Sequence, residues 1–244
     1  MRILGFDTAT PATTVALLDL REGVEVQARE ARDDPAARER PRHVTRLLPL
    51  IIEALEGSGT GWEAIDLIAV GLGPGTFTGL RIGIATARAL GQARSIPLAG
   101  VSTLESLATG AAPSADPGGA VLAVLDARRG EVFAAGWRTR GAPAERLCEP
   151  QALAPEGLAE VVAELGPACL AIGPGAVEFR LQLERTGAVV PGDDLELHRV
   201  SAIHHCRLAA RTSQAAGPDE IRPEYLRLPD AEIALRRRAA QDPT

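Results

Sequence analysis

The sequence predicts an α/β protein built from two related halves, and three observations carry that prediction. The stretch "RILGFDTATPATTVALLD" reads as an apolar strand ending in Asp7, a turn from Thr8 to Pro11 and a β-branched strand from Thr13 to Leu18. Much later "VLAVLDARRGEVFAAGW" repeats the pattern, with a strand from Val121 to Leu125, Asp126, a turn closing at Gly130 and a strand from Glu131 to Trp137. Each unit is followed by an apolar strand running into Gly-Pro-Gly, "LIAVGLGPGTF" at 67–77 and "CLAIGPGAVEF" at 169–179. Arginines stand in the second copy where the first has threonines.

Helices fill the gaps in order. "RHVTRLLPLIIEALE" places Val44, Leu47, Leu48, Ile51, Ile52 and Leu55 at three-and-four spacing, which predicts one apolar helix face stopped by Gly57, with a kink or break at Pro49. A helix from about Thr78 to Leu90 follows the first Gly-Pro-Gly. In "STLESLA" Ser102 and Glu105 form a capping box that starts a helix at Thr103. "APEGLAEVVAELG" predicts a helix from Pro155 to a stop at Gly166, and "HHCRLAARTSQAAG" a last one. The turn-rich 110–119 segment marks the boundary between the halves.

Composition narrows the function classes. With 244 residues, 45% of them hydrophobic, the chain can bury a sizeable core without metal or disulfide staples. Cys148, Cys169 and Cys206 show no CxxC spacing and read as buried thiols of a reducing compartment. No leader pattern or membrane-length apolar run is present, so a cytoplasmic protein without membrane contact is expected. A net charge of -6 and 3% aromatic content argue against gripping RNA alone, and Arg236 to Arg238 read as a solvated tail.

The densest chemical signal is "GLGPGTFTGLRIG", residues 71–83. A P-loop would need Lys-Ser/Thr after its last glycine, but Gly79 precedes Leu80 and Arg81. The dinucleotide fingerprint fits poorly, because Gly73, Gly75 and Gly79 are spaced one residue too long and the next acidic residue is Glu105. Two readings stay open. The turn could present helix amides, Thr76, Thr78 and Arg81 to an anion. Alternatively Gly79, Gly83, Ala87 and Gly91 form a ridge without side chains that another backbone approaches, from the same sheet or from a second protein. Asp7 could hold a hydrated magnesium or cap its own turn. His43, His198, His204 and His205 show no metal-ligand spacing and are assigned surface or packing roles.

The segments "ILGFDTAT", "RHVTRLLPLI", "GPGTFTGLRIGIATARALG", "GVSTLESLA", "LDARRGEVFAA" and "PEYLR", in this order up to about residue 228, resemble the bacterial TsaB (YeaZ) family of tRNA threonylcarbamoyladenosine biosynthesis. The resemblance implies an α/β actin-like ATPase (ASKHA) fold with two duplicated ribonuclease H-like halves. It implies residues 1–109 as the first half, with a helix at about 201–216 packed back on it, 110–200 as the second half, and a flexible tail at 229–244.

The same resemblance implies a non-catalytic accessory subunit. It would pair with TsaD, whose metal-binding histidine pair this chain lacks, and support assembly with the ATPase TsaE. It would form a homodimer when alone and meet tRNA only through the complex. Carried over by position, the partner surface falls on His43, Leu47, Leu48 and Ile51 and on Gly79, Gly83 and Ala87, although His43-Val44 stands where the family often has His-Ser. A nucleotide, ATP or ADP with magnesium, would use Asp7, Thr8, Gly73, Gly75 and Thr76, bound weakly or only in the complex, because Arg128 and Arg129 crowd the second turn. The alternative is a kinase-like or glycoprotease-like enzyme of the same fold.

Overall fold

The computed structural model describes residues 1–36, 39–115, 119–138, 145–211 and 215–227. The tail expected at 229–244 lies outside them. β1 (Arg2–Asp7) and β2 (Thr13–Arg21) form the first antiparallel hairpin, with Asp7 opposite Thr14. β3 (Val24–Asp33) continues it as an edge strand that the residue pattern did not announce. Its first seven residues are exposed, so no apolar alternation marks it.

α1 (His43–Ser58) continues through Pro49 and Gly57 without a break and ends at Gly59, whose φ of 64° is the left-handed cap. Pro49 and Thr45, four residues before it, are both exposed, so water can serve the carbonyl that lacks a donor. The expected break is therefore absent. The apolar residues of α1 also split: Leu47, Ile51 and Leu55 are buried with Leu50 and Ala54, whereas Val44, Leu48 and Ile52 face outward.

β4 (Leu67–Gly73) and β5 (Leu98–Ser102) are parallel additions to β1, and α2 (Phe77–Arg94) connects them. α3 (Thr103–Ala111) follows at once, with the Ser102 hydroxyl accepting the Glu105 amide as the capping box requires. The second sheet then forms from β6 (Ala120–Arg128), β7 (Glu131–Arg138) and β8 (Glu145–Leu153). β8 is a second edge strand missing from the sequence reading, and Pro150 lies within it. α4 (Leu158–Leu165), β9 (Leu170–Ile172), α5 (Pro174–Glu178), α6 (Arg180–Arg185) and α7 (Ala202–Ala209) follow; α7 stops short of the expected 216, where Ala216 instead bridges to Leu98 at the sheet edge.

Strand order is β3-β2-β1-β4-β5 in the first sheet and β8-β7-β6-β9 in the second, so the two repeat units superpose strand for strand up to β5. In both, the first strand pairs antiparallel with its hairpin partner and parallel with the Gly-Pro-Gly strand. The apolar clusters define layers. α1 and α2 cover one face of the first sheet, and α7 covers the other. α3 covers the facing side of the second sheet, and α4 to α6 its outer side. This duplicated layering is the actin-like ATPase architecture. α7 lies over β1 and β2 with Cys206 against Gly5, where a Cβ would come within 2.5 Å of its sulfur. Among the described residues, no helix is long and apolar enough to cross a membrane.

Candidate functional site: the Asp7 turn and the outer helix face

The glycine turn that dominates the sequence holds a segment of its own chain. Thr76 caps α2 by accepting the Gly79 amide at 3.3 Å, and the Thr76 amide donates to the Ala9 carbonyl at 2.8 Å. The Thr8 hydroxyl donates to the Gly79 carbonyl at 2.8 Å. A Cβ on Gly79 would overlap the Thr8 carbonyl, and one on Gly83 would lie 2.5 Å from the Thr8 hydroxyl. Gly79 and Gly83 therefore admit the β1–β2 turn, while Gly91 admits Leu98 of β5. Gly79, Gly83 and Ala87 are buried there, and so are His43, Leu47 and Ile51 on the inner side of α1. Of the expected partner residues, only Leu48 remains available to another molecule, at 49% exposure.

Asp7, offered by the sequence as a metal-holding carboxylate, is 1% exposed and fully engaged. It accepts from the Ala9 amide at 2.6 Å, the Thr103 hydroxyl at 2.7 Å and the His205 Nε2 at 2.9 Å. An ionised carboxylate only accepts, so that nitrogen carries its proton. Burial pushes the Asp7 carboxyl up, but His205, Ala9 and Thr103 together outweigh it and hold it below its ordinary value. On the other side of the ring, His205 Nδ1 lies 2.7 Å from the Ser106 hydroxyl.

This Ser-His-Asp row resembles a nucleophile triad in outline, yet Ser106 and His205 are wholly buried and no substrate atom could reach the serine. The four residues tie three elements together: β1, α3 and α7. Glu30 strengthens the same junction from β3, accepting the Ala202 amide at the start of α7 at 2.8 Å and the Ser201 hydroxyl at 2.8 Å. Sequence reasoning missed Thr103, Ser106, Glu30 and the pairing of His205, because their partners lie far away along the chain.

The nucleotide set is brought together but does not fit a magnesium nucleotide. Asp7, Thr8 and Thr76 have internal partners, and a Cβ on Gly75 would overlap Ala9. The Glu224 carbonyl lies 3.1 Å from where a Gly73 Cβ would stand. In the second turn Arg128 and Arg129 adopt left-handed φ values of 66° and 60°, and Arg128 pairs with Asp126 at 3.2 Å. No cluster of three or more metal-ligating side chains occurs among the described residues. His43 Nδ1 meets the Thr13 hydroxyl at 2.9 Å, its Nε2 is buried without a hydrogen-bond partner, and burial lowers the histidine's pKa.

The outer surface of the first half is built differently. Val44, Leu48 and Ile52 are 75%, 49% and 49% exposed at four-residue spacing, an apolar stripe along α1. α2 beside it turns Ala85, Ala89 and Ala93 outward. The stripe leads to a groove of about 320 Å³ lined by Ile52, Leu55, Gly59 and Trp62.

Comparison with known proteins places this arrangement. The TsaD family model, described as tRNA N6-adenosine threonylcarbamoyltransferase, matches residues 36–179. The tRNA threonylcarbamoyladenosine biosynthesis protein TsaB of Escherichia coli is 41% identical over 136 residues, 54% of this chain and 53% of that one. The solved structure of YeaZ from Pseudomonas aeruginosa matches with a TM-score of 0.74 and 29% identity, covering 92% of this chain and 99% of that one. The chain belongs to the TsaB (YeaZ) family. An uncharacterized family relative from Mycobacterium tuberculosis is 32% identical over 94% of this chain and 93% of its own. The alignment with the Escherichia coli protein takes in about half of each chain, whereas the structural match to YeaZ runs across both halves.

Proposed function

We propose that this chain works in tRNA threonylcarbamoyladenosine biosynthesis as a non-catalytic accessory subunit. It pairs with the catalytic subunit TsaD, supports assembly with TsaE, and meets tRNA only through that complex. The observation that carries the reading is the exposed stripe of Val44, Leu48 and Ile52 on α1. Apolar side chains spaced along one outward helix face are what a partner helix buries. In isolation the same stripe closes on a second copy. The family name supports the pathway, and the geometry of Asp7 supports the accessory role. A kinase-like reaction would need a free carboxylate at the turn, and this one is consumed by His205, Thr103 and Ala9. Nucleotide, if used at all, belongs to the assembled complex.

The test is co-purification with TsaD of the same organism, followed by light scattering and threonylcarbamoyl transfer to tRNA. The wild-type chain should give a stable heterodimer and be required for transfer. Leu48→Asp with Ile52→Asp should weaken the association at least about ten-fold while the fold stays intact, because both positions are half exposed. Association unaffected by the pair would refute the interface, and transfer unaffected by omitting the chain would refute the function.

A further inference from the structure

We infer that residues 215–227 are a latch holding the two halves in one disposition and covering the glycine turn. The segment leaves α7 and first adds to the edge of the first sheet, the Ala216 amide donating to the Leu98 carbonyl at 2.7 Å. Ile221 then enters the core beneath α1 and α2 at 4% exposure, and its carbonyl accepts Arg88 Nε at 3.1 Å. The chain turns across the end of β4, where the Glu224 amide donates to the Leu72 carbonyl at 2.8 Å. Tyr225 stacks on Phe77 with ring centres 5.4 Å apart, and its hydroxyl accepts Arg81 Nε at 3.2 Å. The next two residues belong to the other half. Leu226 packs into the apolar cluster between α3 and the second sheet, and Arg227 pairs with Glu131 at the start of β7 at 2.6 Å.

Six residues thus pass from the core of the first half to the face of the second. They pass Gly73, near whose Cβ position the Glu224 carbonyl lies, and end on Glu131, next to Gly130 in the second turn. Apart from this crossing, the described parts of the halves meet mainly through the layer of α3 and α7, with a surface pair between Arg32 and Glu196 at 3.8 Å. Two lobes joined through one layer can rotate about it. A second attachment at the strand ends removes that freedom, and Pro218 and Pro223 reduce the disorder the segment must give up to form it. The "PEYLR" motif, for which the accessory-subunit reading has no use, supplies four of the attachments. The inference does not rest on which partner α1 meets.

Spin labels on full-length chains test it. Cys148, Cys169 and Cys206 are buried, so labels go to thiols introduced by Val24→Cys on β3 and Leu181→Cys on α6, positions 64% and 72% exposed. Without further change the pair should give one narrow distance distribution. Adding Leu226→Ser and Arg227→Ala should broaden it by several ångströms and speed hydrogen exchange at the Gly75 and Thr76 amides about ten-fold, leaving α4 and α6 unchanged. Arg227→Ala alone, which removes the partly exposed pair with Glu131 and keeps Leu226 in place, should show the same exchange change at about three-fold if the double variant does not fold. An unchanged distribution with unchanged exchange overturns the latch. Exchange accelerated equally across both halves also overturns it, because the segment would then be ordinary packing.

Discussion

Replacing Asp7 by alanine tests the central junction most directly. The substitution removes one acceptor and orphans three donors: the Ala9 amide, the Thr103 hydroxyl and the His205 Nε2–H. Each unsatisfied buried donor costs about 1–3 kcal/mol, and Thr103 can recover part of its share by rotating, which leaves a loss of about 3–5 kcal/mol. Against a total stability of about 5–15 kcal/mol, that is a large fraction. The melting temperature should fall by roughly 6–20 °C for a chain of this size. Urea unfolding followed by circular dichroism gives the free energy, and calorimetry with magnesium ATP gives binding in the same samples. The pH dependence supplies a second check. Because the folded carboxyl lies below its ordinary 3.8, its stabilisation is present above that pH and is lost as pH falls through the folded value. The alanine variant should lack this acid-side loss. A cost below about 1 kcal/mol would refute the buried-junction argument. Tight magnesium ATP binding abolished by the substitution would show that Asp7 serves a nucleotide after all.

Two further outcomes follow from the same geometry. Gly83→Ala should raise stability by about 1 kcal/mol if α2 were free on that side, but the added Cβ would lie 2.5 Å from the Thr8 hydroxyl, so a loss of about 1–3 kcal/mol is expected by urea titration. A gain would show that the ridge does not hold the turn. At Glu224, burial raises the carboxyl above its ordinary 4.5, so the folded chain keeps this proton to higher pH than the unfolded one and stability falls as pH rises from 4.5 through the folded value. Glu224→Gln should melt higher than the wild type at neutral pH and as the wild type does below 4.5; equal melting at both would dismiss the shift.

Much of the architecture was legible in the letters because it is local. A hairpin is written in alternating apolar residues around a turn, and its recurrence around Asp126 announced the duplication that the matching strand orders display. The Ser102 N-cap and the Gly166 stop are equally local and appear as read. β3 and β8 were not legible, since edge strands exposed to water need no apolar period. The site divided in the same way. Spacing alone marked Gly79 and Gly83 as places where something must come close, but it could not say what. That Thr8 comes close, 71 residues from Gly79, is a property of how β1 and α2 pack. Likewise periodicity assigned Leu47 and Leu48 to one apolar face. The sheet, which can cover only one side of α1, buried the first and left the second to solvent. Composition and local pattern thus settled the class, the duplication, the start of α3 and the stop of α4 by themselves. Tertiary structure alone decided which apolar residues face outward and that Asp7 meets His205, because a carboxylate takes its role from donors 96 and 198 residues away.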